Sequence, residues 1–217
     1  IFFKDAQIKS FLKIIIISIL ILSIYLMMIN NNEFSLRSIF FNTISILTGT
    51  GYVSAKFDGW GSFPLVIFLA LMFIGGCAGS TTCGIKIFRI QILYLFILNQ
   101  LKKIIYPKGV FLIKYEQNTV EVKFIASIIS FIYFYFIIFF LLAALLSLTG
   151  LDFITSISGA ATSISNVGPG LGPIIGPNGN FSALPDISKW ILTIGMILGR
   201  LELFAILVLF LPSFWRD

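Results

Sequence analysis

Two short glycine-containing stretches carry the residues of this sequence that are best suited to bind an ion. They contain the pairs Thr50-Gly51 and Val167-Gly168, and neither stretch holds an Asp or a Glu. Glycine lets successive backbone carbonyl groups point the same way without a clash at Cβ, and such carbonyls can replace the hydration shell of a cation. These residues therefore predict cation coordination by the backbone.

The same pattern precedes each pair, which indicates an internal repeat. The two stretches read FSLRSIFFNTISILTGTGY and LDFITSISGAATSISNVGPGLG, each with an amphipathic segment before the glycine. Such a segment has about 13 residues, too short to cross a membrane but long enough for a re-entrant helix. Non-helical backbone at membrane depth is tolerated only where protein covers it or it lines a water-filled cavity. The repeat predicts a pore, and the alternative is a pair of ordinary turns between spans.

The composition requires a membrane to surround these elements. Of the 217 residues, 58% are hydrophobic and 11% charged, and the mean hydropathy is +1.03. Hydrophobic runs of about 18 or more residues, enough for a membrane-spanning helix, begin near Phe11, Phe124 and Ile187. A fourth run, 63–98, is too long for one span. We expect the first run to be a retained span rather than a signal peptide, because no small-residue cleavage site follows it.

The basic residues predict the orientation of the chain. Eleven of the fifteen flank one side of the predicted spans: Lys4, Lys9, Lys13, Lys86, Arg89, Lys102, Lys103, Lys108, Lys114, Lys123 and Arg216. Lys and Arg accumulate on the cytoplasmic side of membrane proteins, so we expect both ends and the basic loop 99–123 to be cytoplasmic. The lysines of this loop also suit contacts with anionic lipid head groups. In this setting the net charge of +6 does not indicate a nucleic-acid partner.

The segment GGCAGSTTCG, residues 75–84, splits the run 63–98 into two parts. A continuous helix through it would cost roughly 1 kcal/mol per glycine relative to alanine, so we expect an intramembrane loop. Its small polar residues could block a conduction path and move aside, which predicts a gate. The alternative is close helix packing through small residues. The residues assigned to the gate are Gly75, Gly76, Gly79, Ser80, Thr81, Thr82 and Gly84.

Arg200 lies in the middle of the last hydrophobic run. An arginine at the bilayer centre costs about 2.5–3.5 kcal/mol on insertion scales, so it must face protein or water. We expect its guanidinium to bind carbonyl and hydroxyl groups of the loop 75–84, to hold that loop closed and to repel cations. Glu202 points to another helix face; it either pairs with Lys86 or Arg89 or extends to the membrane surface.

Catalytic and metal-binding arrangements are absent from the sequence. There is no His, and Cys77 and Cys83 lie in a small-residue segment without other zinc ligands. The acidic and basic candidates for an enzyme are scattered: Asp152, Asp186, Lys189 and Glu202. Because a membrane enzyme needs activated polar groups at one depth, we expect no enzymatic activity and no cofactor in this chain.

Four stretches resemble a known family: FNTISILTGTGY, FIGGCAGSTTCGIKIFRI, SNVGPGLGPIIGPNGNF and KWILTIGMILGRLELFAILVLFLPSFWR. They are similar to the TrkH-type subunits of the Trk/Ktr/HKT superfamily of potassium transporters. The resemblance implies an all-α integral membrane fold with membrane-pore-membrane repeats, four around one pore. This chain looks like the third and fourth repeats, residues 1–98 and 124–217, and thus half of a pseudo-fourfold, potassium-channel-like fold.

The resemblance also assigns roles to individual residues. It makes Gly51 and Gly168 the central glycines of two selectivity-filter strands, 48–52 and 166–170, and it makes the loop 75–84 a gate that contacts Arg200. The flanking filter residues are Thr48, Gly49, Thr50 and Tyr52 in the first strand and Asn166, Val167 and Pro169 in the second. Gly49 stands where relatives often carry Thr, so coordination by a hydroxyl group is not expected at that level.

The function implied by the resemblance is potassium uptake across a bacterial plasma membrane. The alternatives are a sodium-permeable transporter and a non-conducting or regulatory half-subunit. Two strands cannot enclose an ion, so either a missing N-terminal half or a second copy must complete the pore; we expect a truncated sequence because the chain starts abruptly at Ile1. The family implies a homodimer and a cytoplasmic nucleotide-binding regulatory ring that touches the loop 99–123 and the end Trp215-Arg216, with any nucleotide bound by that partner.

Overall fold

The computed structural model describes residues 5–29, 35–116 and 118–201, together with residues 205, 208–209 and 212–215. Lys4, Glu202 and Arg216, for which the sequence predicts an orientation or an ion pair, lie outside these residues. The described chain is helical. Its α-helices are α1 Ala6–Met28, α2 Leu36–Leu47, α3 Ser62–Phe73, α4 Ile87–Ile105, α5 Val122–Leu148, α6 Phe153–Ser165 and α7 Asp186–Arg200.

Two of the described helices, α1 and α5, are long and apolar enough to cross a membrane, with 23 and 27 residues. Asp5 caps α1, because its carboxylate accepts a hydrogen bond of 2.7 Å from the backbone N–H of Gln7. The side chains of Ile16, Leu20 and Ile24 on α1 are more than half exposed. Such apolar faces suit contact with lipid or with another membrane segment.

Helices α2 and α6 are half-length, with 12 and 13 residues. At a rise of 1.5 Å per residue they cover about 18–20 Å, short of a hydrocarbon core of about 30 Å. Helix α2 packs between α1 and α3, and α6 packs between α5 and α7. The chain therefore repeats one arrangement, in which a half-length helix lies between the helices that precede and follow it. Contacts between α3 and α6 join the two halves.

The basic segment 99–123 is not wholly a loop, which corrects the boundary expected at residue 99. Helix α4 continues to Ile105, because no Gly or Pro interrupts it before Pro107. Lys102 and Lys103 lie in its last turn, where positive charge is favourable at a helix C-terminus. The remainder contains a small antiparallel hairpin of β1 Lys114–Tyr115 and β2 Asn118–Thr119.

An aromatic cluster fixes the connection that leads from α2 to α3. Phe57, Trp60 and Phe68 are almost fully buried, and the ring centroids of Phe57 and Phe68 lie 4.7 Å apart. Phe57 and Trp60 belong to a short 3₁₀ turn, whereas Phe68 belongs to α3. The cluster thus anchors the residues that follow the first glycine stretch onto α3.

Candidate functional site

The first glycine stretch turns back onto the end of α2. The backbone N–H groups of Thr50 and Gly51 both donate to the carbonyl oxygen of Ser45, at 2.9 and 3.3 Å. The Ser45 hydroxyl donates to the carbonyl of Tyr52 at 2.6 Å. Among the described residues, no hydrogen bond uses the carbonyl oxygens of Gly49, Thr50 or Gly51 as acceptors. The N–H groups of Thr50 and Gly51 are therefore satisfied while those carbonyls remain available to a ligand.

The second glycine stretch has the same design at the end of α6. The N–H of Val167 donates to the Thr162 carbonyl at 3.1 Å, and the N–H of Gly168 donates to the Thr162 hydroxyl at 2.9 Å. Asn166 ends the helix in the left-handed conformation, with φ 51°. Its side-chain amide donates to the carbonyl of Met196 on α7 at 3.0 Å. These bonds fix the second strand against both α6 and α7.

The two strands meet at their central glycines. A Cβ atom at Gly51 would overlap the carbonyl oxygen of Val167, and Gly51 has φ +76°, a region that favours glycine. A Cβ at Gly168 would lie 3.7 Å from the Cα of Gly51. A Cβ at Gly49 would lie 3.9 Å from the Asn166 carbonyl oxygen. The structure thus brings together the residues that the repeat aligns.

The flanking residues differ in exposure. Val167 is buried, whereas Thr50, Gly168 and the Tyr52 side chain are exposed. The hydroxyl oxygens of Thr48 and Thr50 lie 2.6 Å apart and bond to each other. Pro169 follows Gly168 and is partly exposed. The strands therefore present backbone and hydroxyl groups on the side away from the packed helices.

Both half-length helices point their C-terminal ends at these strands. Helix α2 ends at Leu47 and α6 ends at Ser165, directly before the glycine stretches, and neither has a basic residue in its last turn. A helix C-terminus carries about half a negative charge. Two such ends make the electrostatic potential at the strands more negative without any carboxylate.

The segment between α3 and α4 is a closed loop with its own backbone bonds. The N–H of Gly75 donates to the carbonyl of Ile85, and the N–H of Ile85 donates to that of Phe73, both at 2.9 Å. Ile74 and Ile85 form an isolated parallel bridge. A Cβ at Gly75 would collide with the carbonyl oxygen of Cys83. The base of the loop is therefore tightly joined.

Hydroxyl groups organise the inside of this loop. The oxygens of Ser80 and Thr82 lie 2.7 Å apart, and the N–H of Gly76 donates to the Thr82 hydroxyl at 2.8 Å. Gly79 and Gly84 have φ of +80° and +82°, so both turn the chain in the left-handed region. Ser80 and Thr82 thus bond within the loop rather than to a guanidinium.

Arg200 reaches the loop from the end of α7. Its Nη1 donates to the carbonyl of Thr81 at 2.8 Å and lies 3.7 Å from Sγ of Cys83. A cavity of about 230 Å³ opens between the loop and this arginine. Arg89 also lines the cavity and places its guanidinium 3.8 Å from the centre of the Phe131 ring. The two guanidinium groups make the cavity electropositive.

A second contact to the loop was not anticipated from the sequence. Oε1 of Gln7 accepts a hydrogen bond of 2.8 Å from the backbone N–H of Ala78. Nearby, Nε2 of Gln91 donates to the Ser10 hydroxyl at 2.6 Å, and the Tyr115 hydroxyl donates to Oε1 of Gln91 at 2.7 Å. Gln91 is a polar residue in a largely apolar stretch, whereas Gln7 has charged and polar neighbours and gave no signal. Polar contacts thus connect the loop, α1, α4 and the hairpin.

The Tyr115 hydroxyl of the hairpin remains a hydrogen-bond donor near neutral pH. Burial, with the neighbouring Glu116 carboxylate, raises the pKa of Tyr115 to about 12. The phenol therefore keeps its proton and continues to donate to Gln91.

Ser45 and Thr162 accept hydrogen bonds from N–H groups of the two glycine strands. The sequence did not single them out, because Ser and Thr are common in helices.

The described residues contain no group of three or more His, Cys, Asp or Glu that could hold a metal ion. Backbone carbonyl groups are thus the principal candidate ligands in this part of the chain. They suit a cation that is held weakly by dipoles and released again.

Comparison with known proteins identifies the family. Residues 1–216 match the family described as TrkH, a cation transport protein. The chain is 44% identical over 215 residues to the Trk system potassium uptake protein TrkI of Halomonas elongata, covering 99% of this chain and 44% of that protein. It is 31% identical over 220 residues to the Trk system potassium uptake protein TrkH of Escherichia coli K12, covering 100% and 45%.

A solved structure agrees with the fold. The crystal structure of the potassium transporter TrkH from Vibrio parahaemolyticus superposes with a TM-score of 0.89 at 32% identity, over 99% of this chain and 46% of that one. The chain thus spans less than half the length of the relatives it matches. These matches confirm the helical fold class and the resemblance noted in the sequence, and the chain belongs to the TrkH family of cation transport proteins.

Proposed function

We propose that this chain forms part of a potassium-uptake pathway, in which strands 48–52 and 166–170 are two walls of a selectivity filter. The observation that carries the proposal is the contact of Gly51 with Val167, at the ends of two half-length helices. Its relatives are named as potassium uptake proteins. The chain belongs to a transport family rather than an enzyme family. This agrees with its titratable residues, which are scattered instead of gathered at one depth.

The filter would work through its backbone. The N–H groups of Thr50, Gly51, Val167 and Gly168 are bonded inward to α2 and α6. The carbonyl groups between them are left to replace water around a dehydrated ion. The C-terminal ends of α2 and α6 supply the negative potential. Selection would then depend on the spacing of the carbonyls rather than on fixed charge.

Each half of the chain would be one membrane-pore-membrane repeat. The first comprises residues 1–98 and the second residues 124–217, joined by the basic segment 99–123. Two filter strands surround an ion only in part, so two further strands must complete a ring around it. An N-terminal half like that of the longer relatives, or a second copy of this chain, would supply them.

The loop 75–84 would be the gate, held closed by Arg200. Its tight base and internal hydroxyl bonds make it a discrete element that can be displaced as a unit. The bond from Arg200 to the Thr81 carbonyl is charge-assisted, and the same nitrogen makes a weaker contact with Sγ of Cys83; a modest conformational change could break both. The positive charge of Arg200 would also oppose cations while the loop is closed.

Partners and orientation follow from the same proposal. The excess of Lys and Arg supports a cytoplasmic position of both ends and of the segment 99–123 at a bacterial inner membrane. A homodimer would bind a nucleotide-binding regulatory ring on that side, near this segment and the end Trp215-Arg216. The hairpin and Gln91 would be well placed to transmit a movement from such a ring to the loop.

The test is rubidium uptake by cells that lack their own potassium uptake systems. Two proteins would be expressed: the 217-residue chain alone, and a chimaera in which it replaces the corresponding residues of Vibrio parahaemolyticus TrkH. We expect the chimaera to take up rubidium and external potassium to compete better than sodium. A chimaera that reaches the membrane but carries no rubidium would contradict the proposal, and equal competition by sodium would contradict potassium selectivity.

A further inference from the structure

A groove of about 450 Å³ lies beside the C-terminal half of α4. One wall consists of the helix residues Leu95, Leu98, Asn99 and Lys102, which recur every three or four positions and share a face. The other wall is the segment 110–114, which returns towards α5. The walls are joined because Nδ2 of Asn99 donates to the Phe111 carbonyl at 3.1 Å.

The proposed position of the loop 75–84 within the membrane sets the depth of the groove. Helix α4 starts at Ile87 after the intramembrane loop, and at 1.5 Å per residue Lys102 is about 22 Å further along the helix. Half of a hydrocarbon core is about 15 Å. Ile92 of α4 packs with Ile125 and Ile128 near the start of α5, so α5 enters the membrane beside the groove. With the loop at mid-membrane, Lys102 lies beyond the hydrocarbon core, at the level of the phospholipid head groups.

The groove combines apolar and basic groups. Val110 and Leu112 are 90% and 69% exposed, which is unusual for a surface that meets only water. Lys102 and Lys114 are exposed at its two ends, and no ion pair joins either lysine to a carboxylate within the described residues. This arrangement complements a molecule with an apolar body and a negative charge.

One polar atom at the groove lacks a partner. Oδ1 of Asn99 is buried and accepts no hydrogen bond within the described chain. A buried acceptor without a donor is unfavourable, so a ligand with a hydroxyl group would gain by donating to it. Lys102 and Lys114 on either side would bind a phosphate. The hydroxyl and the phosphate would then belong to the same head group.

We propose that this groove binds an anionic phospholipid of the surrounding bilayer whose head group carries a hydroxyl, of which phosphatidylglycerol is the simplest. The phosphate lies between Lys102 and Lys114, the hydroxyl donates to Asn99, and an acyl chain lies along Leu98 and Leu112. The inference rests on the proposed position of the loop 75–84 within the membrane and not on the proposed filter. An acidic soluble protein would satisfy the lysines but would not cover the apolar residues at this depth.

The test is native mass spectrometry of the full chain, purified alone and in the chimaera, from nanodiscs that contain phosphatidylcholine and a small share of a second lipid. The second lipid is either phosphatidylglycerol or phosphatidylmethanol, which has the same charge without the hydroxyl. We expect phosphatidylglycerol to be retained best and phosphatidylcholine least. The variant Asn99→Leu should remove the preference for phosphatidylglycerol over phosphatidylmethanol while retention of both stays above phosphatidylcholine.

The charge is tested by a matched pair of double variants. Lys102→Gln with Lys114→Gln should lower retention of phosphatidylglycerol about 30-fold, given the usual attraction of a lysine to an anionic surface. Lys108→Gln with Lys123→Gln removes the same charge from exposed positions outside the groove and should leave retention nearly unchanged. Equal losses in the two pairs, or wild-type retention in the first pair, would overturn the proposal.

Discussion

Arg200 and Thr81 are 119 positions apart in the chain, yet the guanidinium of one donates a hydrogen bond of 2.8 Å to the backbone carbonyl of the other. The bond joins α7 of the second half to the loop between α3 and α4 of the first. An arginine in an apolar helix needs such a partner, since leaving it against lipid is costly. The same residue therefore satisfies its own charge and fixes the position of the loop.

Replacement of Arg200 by alanine should raise basal ion flux, because the loop loses its contact at Thr81 and the electropositive barrier is reduced. The measurement is rubidium uptake by the chimaera without any regulatory partner. The control is Arg200→Lys, which keeps the charge but not the planar donor geometry, and it should give a smaller increase. Flux equal to wild type in Arg200→Ala, at equal protein level, would rule out that Arg200 holds the loop closed.

Removal of the Gln7 side chain should also raise basal flux, but less than Arg200→Ala. Gln7→Ala takes away the acceptor of the Ala78 N–H without changing any charge. Gln7→Glu keeps an acceptor at the same position and should retain low flux. Gln100→Ala, which alters an exposed glutamine of α4, is the matched control. If Gln100→Ala changes rubidium uptake as much as Gln7→Ala, the effect does not come from the loop.

The Thr162 hydroxyl is expected to hold the second strand in place. Thr162→Val removes the acceptor of the Gly168 N–H while keeping the shape of the side chain. This N–H is partly buried, so its loss of an acceptor should cost less than the about 1–3 kcal/mol of a fully buried group. The chimaera should still unfold at a lower temperature and lose potassium selectivity over sodium. Thr162→Ser restores the hydroxyl and should recover both. Unchanged selectivity in Thr162→Val would show that this bond does not shape the filter.

Asp152 is expected to stabilise α6 in a pH-dependent way. Hydrogen bonds from Thr155 lower the pKa of the Asp152 carboxyl. A lowered pKa in the folded state means that the charged cap contributes stability above the unfolded-state pKa of about 3.9 and that this is lost as the pH falls through the folded-state pKa. At neutral pH, Asp152→Ala should lower the free energy of unfolding by about 1 kcal/mol.

The measurement for Asp152 is the melting temperature in detergent as a function of pH. The difference between wild type and Asp152→Ala should be constant from neutral pH to mildly acidic pH and should shrink in stronger acid. Asp152→Asn, which retains a capping oxygen, should lie closer to wild type at neutral pH. A difference that grows with acidity would mean that the cap acts in another way.

Much of the fold was readable from the sequence because membrane segments obey simple limits on length and polarity. The long apolar helices α1 and α5, the short helices α2 and α6 and the break at 75–84 all follow from hydrophobic runs and glycine placement. The C-terminal end of α4 could not be predicted in this way. Asn99 and Lys102 suggest a polar loop, although both residues are compatible with a helix. Tertiary support from the segment 110–114 extends this helix beyond the apolar run.

The residues of the site were only partly predictable. Gly51 and Gly168 stand out because glycine at a repeated position has few structural explanations. Gln7 and Thr162 do not stand out, because their roles depend on hydrogen bonds to backbone groups whose positions the sequence does not specify. Arg200 stands out because an arginine has a high free energy of insertion into a membrane. Its bond to the carbonyl of Thr81, rather than to the nearby hydroxyl groups, depends on hydrogen bonds within the loop and could not be predicted.

The most direct measurement compares two glycine substitutions in the chimaera by rubidium uptake. Gly51→Ala adds a Cβ where the Val167 carbonyl oxygen lies, at a backbone conformation that favours glycine, whereas Gly59→Ala adds one at a position with no neighbouring atom within 4 Å. If the two strands form a filter, Gly51→Ala should abolish uptake and Gly59→Ala should leave it near wild type, with both proteins present in the membrane. Wild-type uptake and selectivity in Gly51→Ala would contradict a filter formed by these two strands.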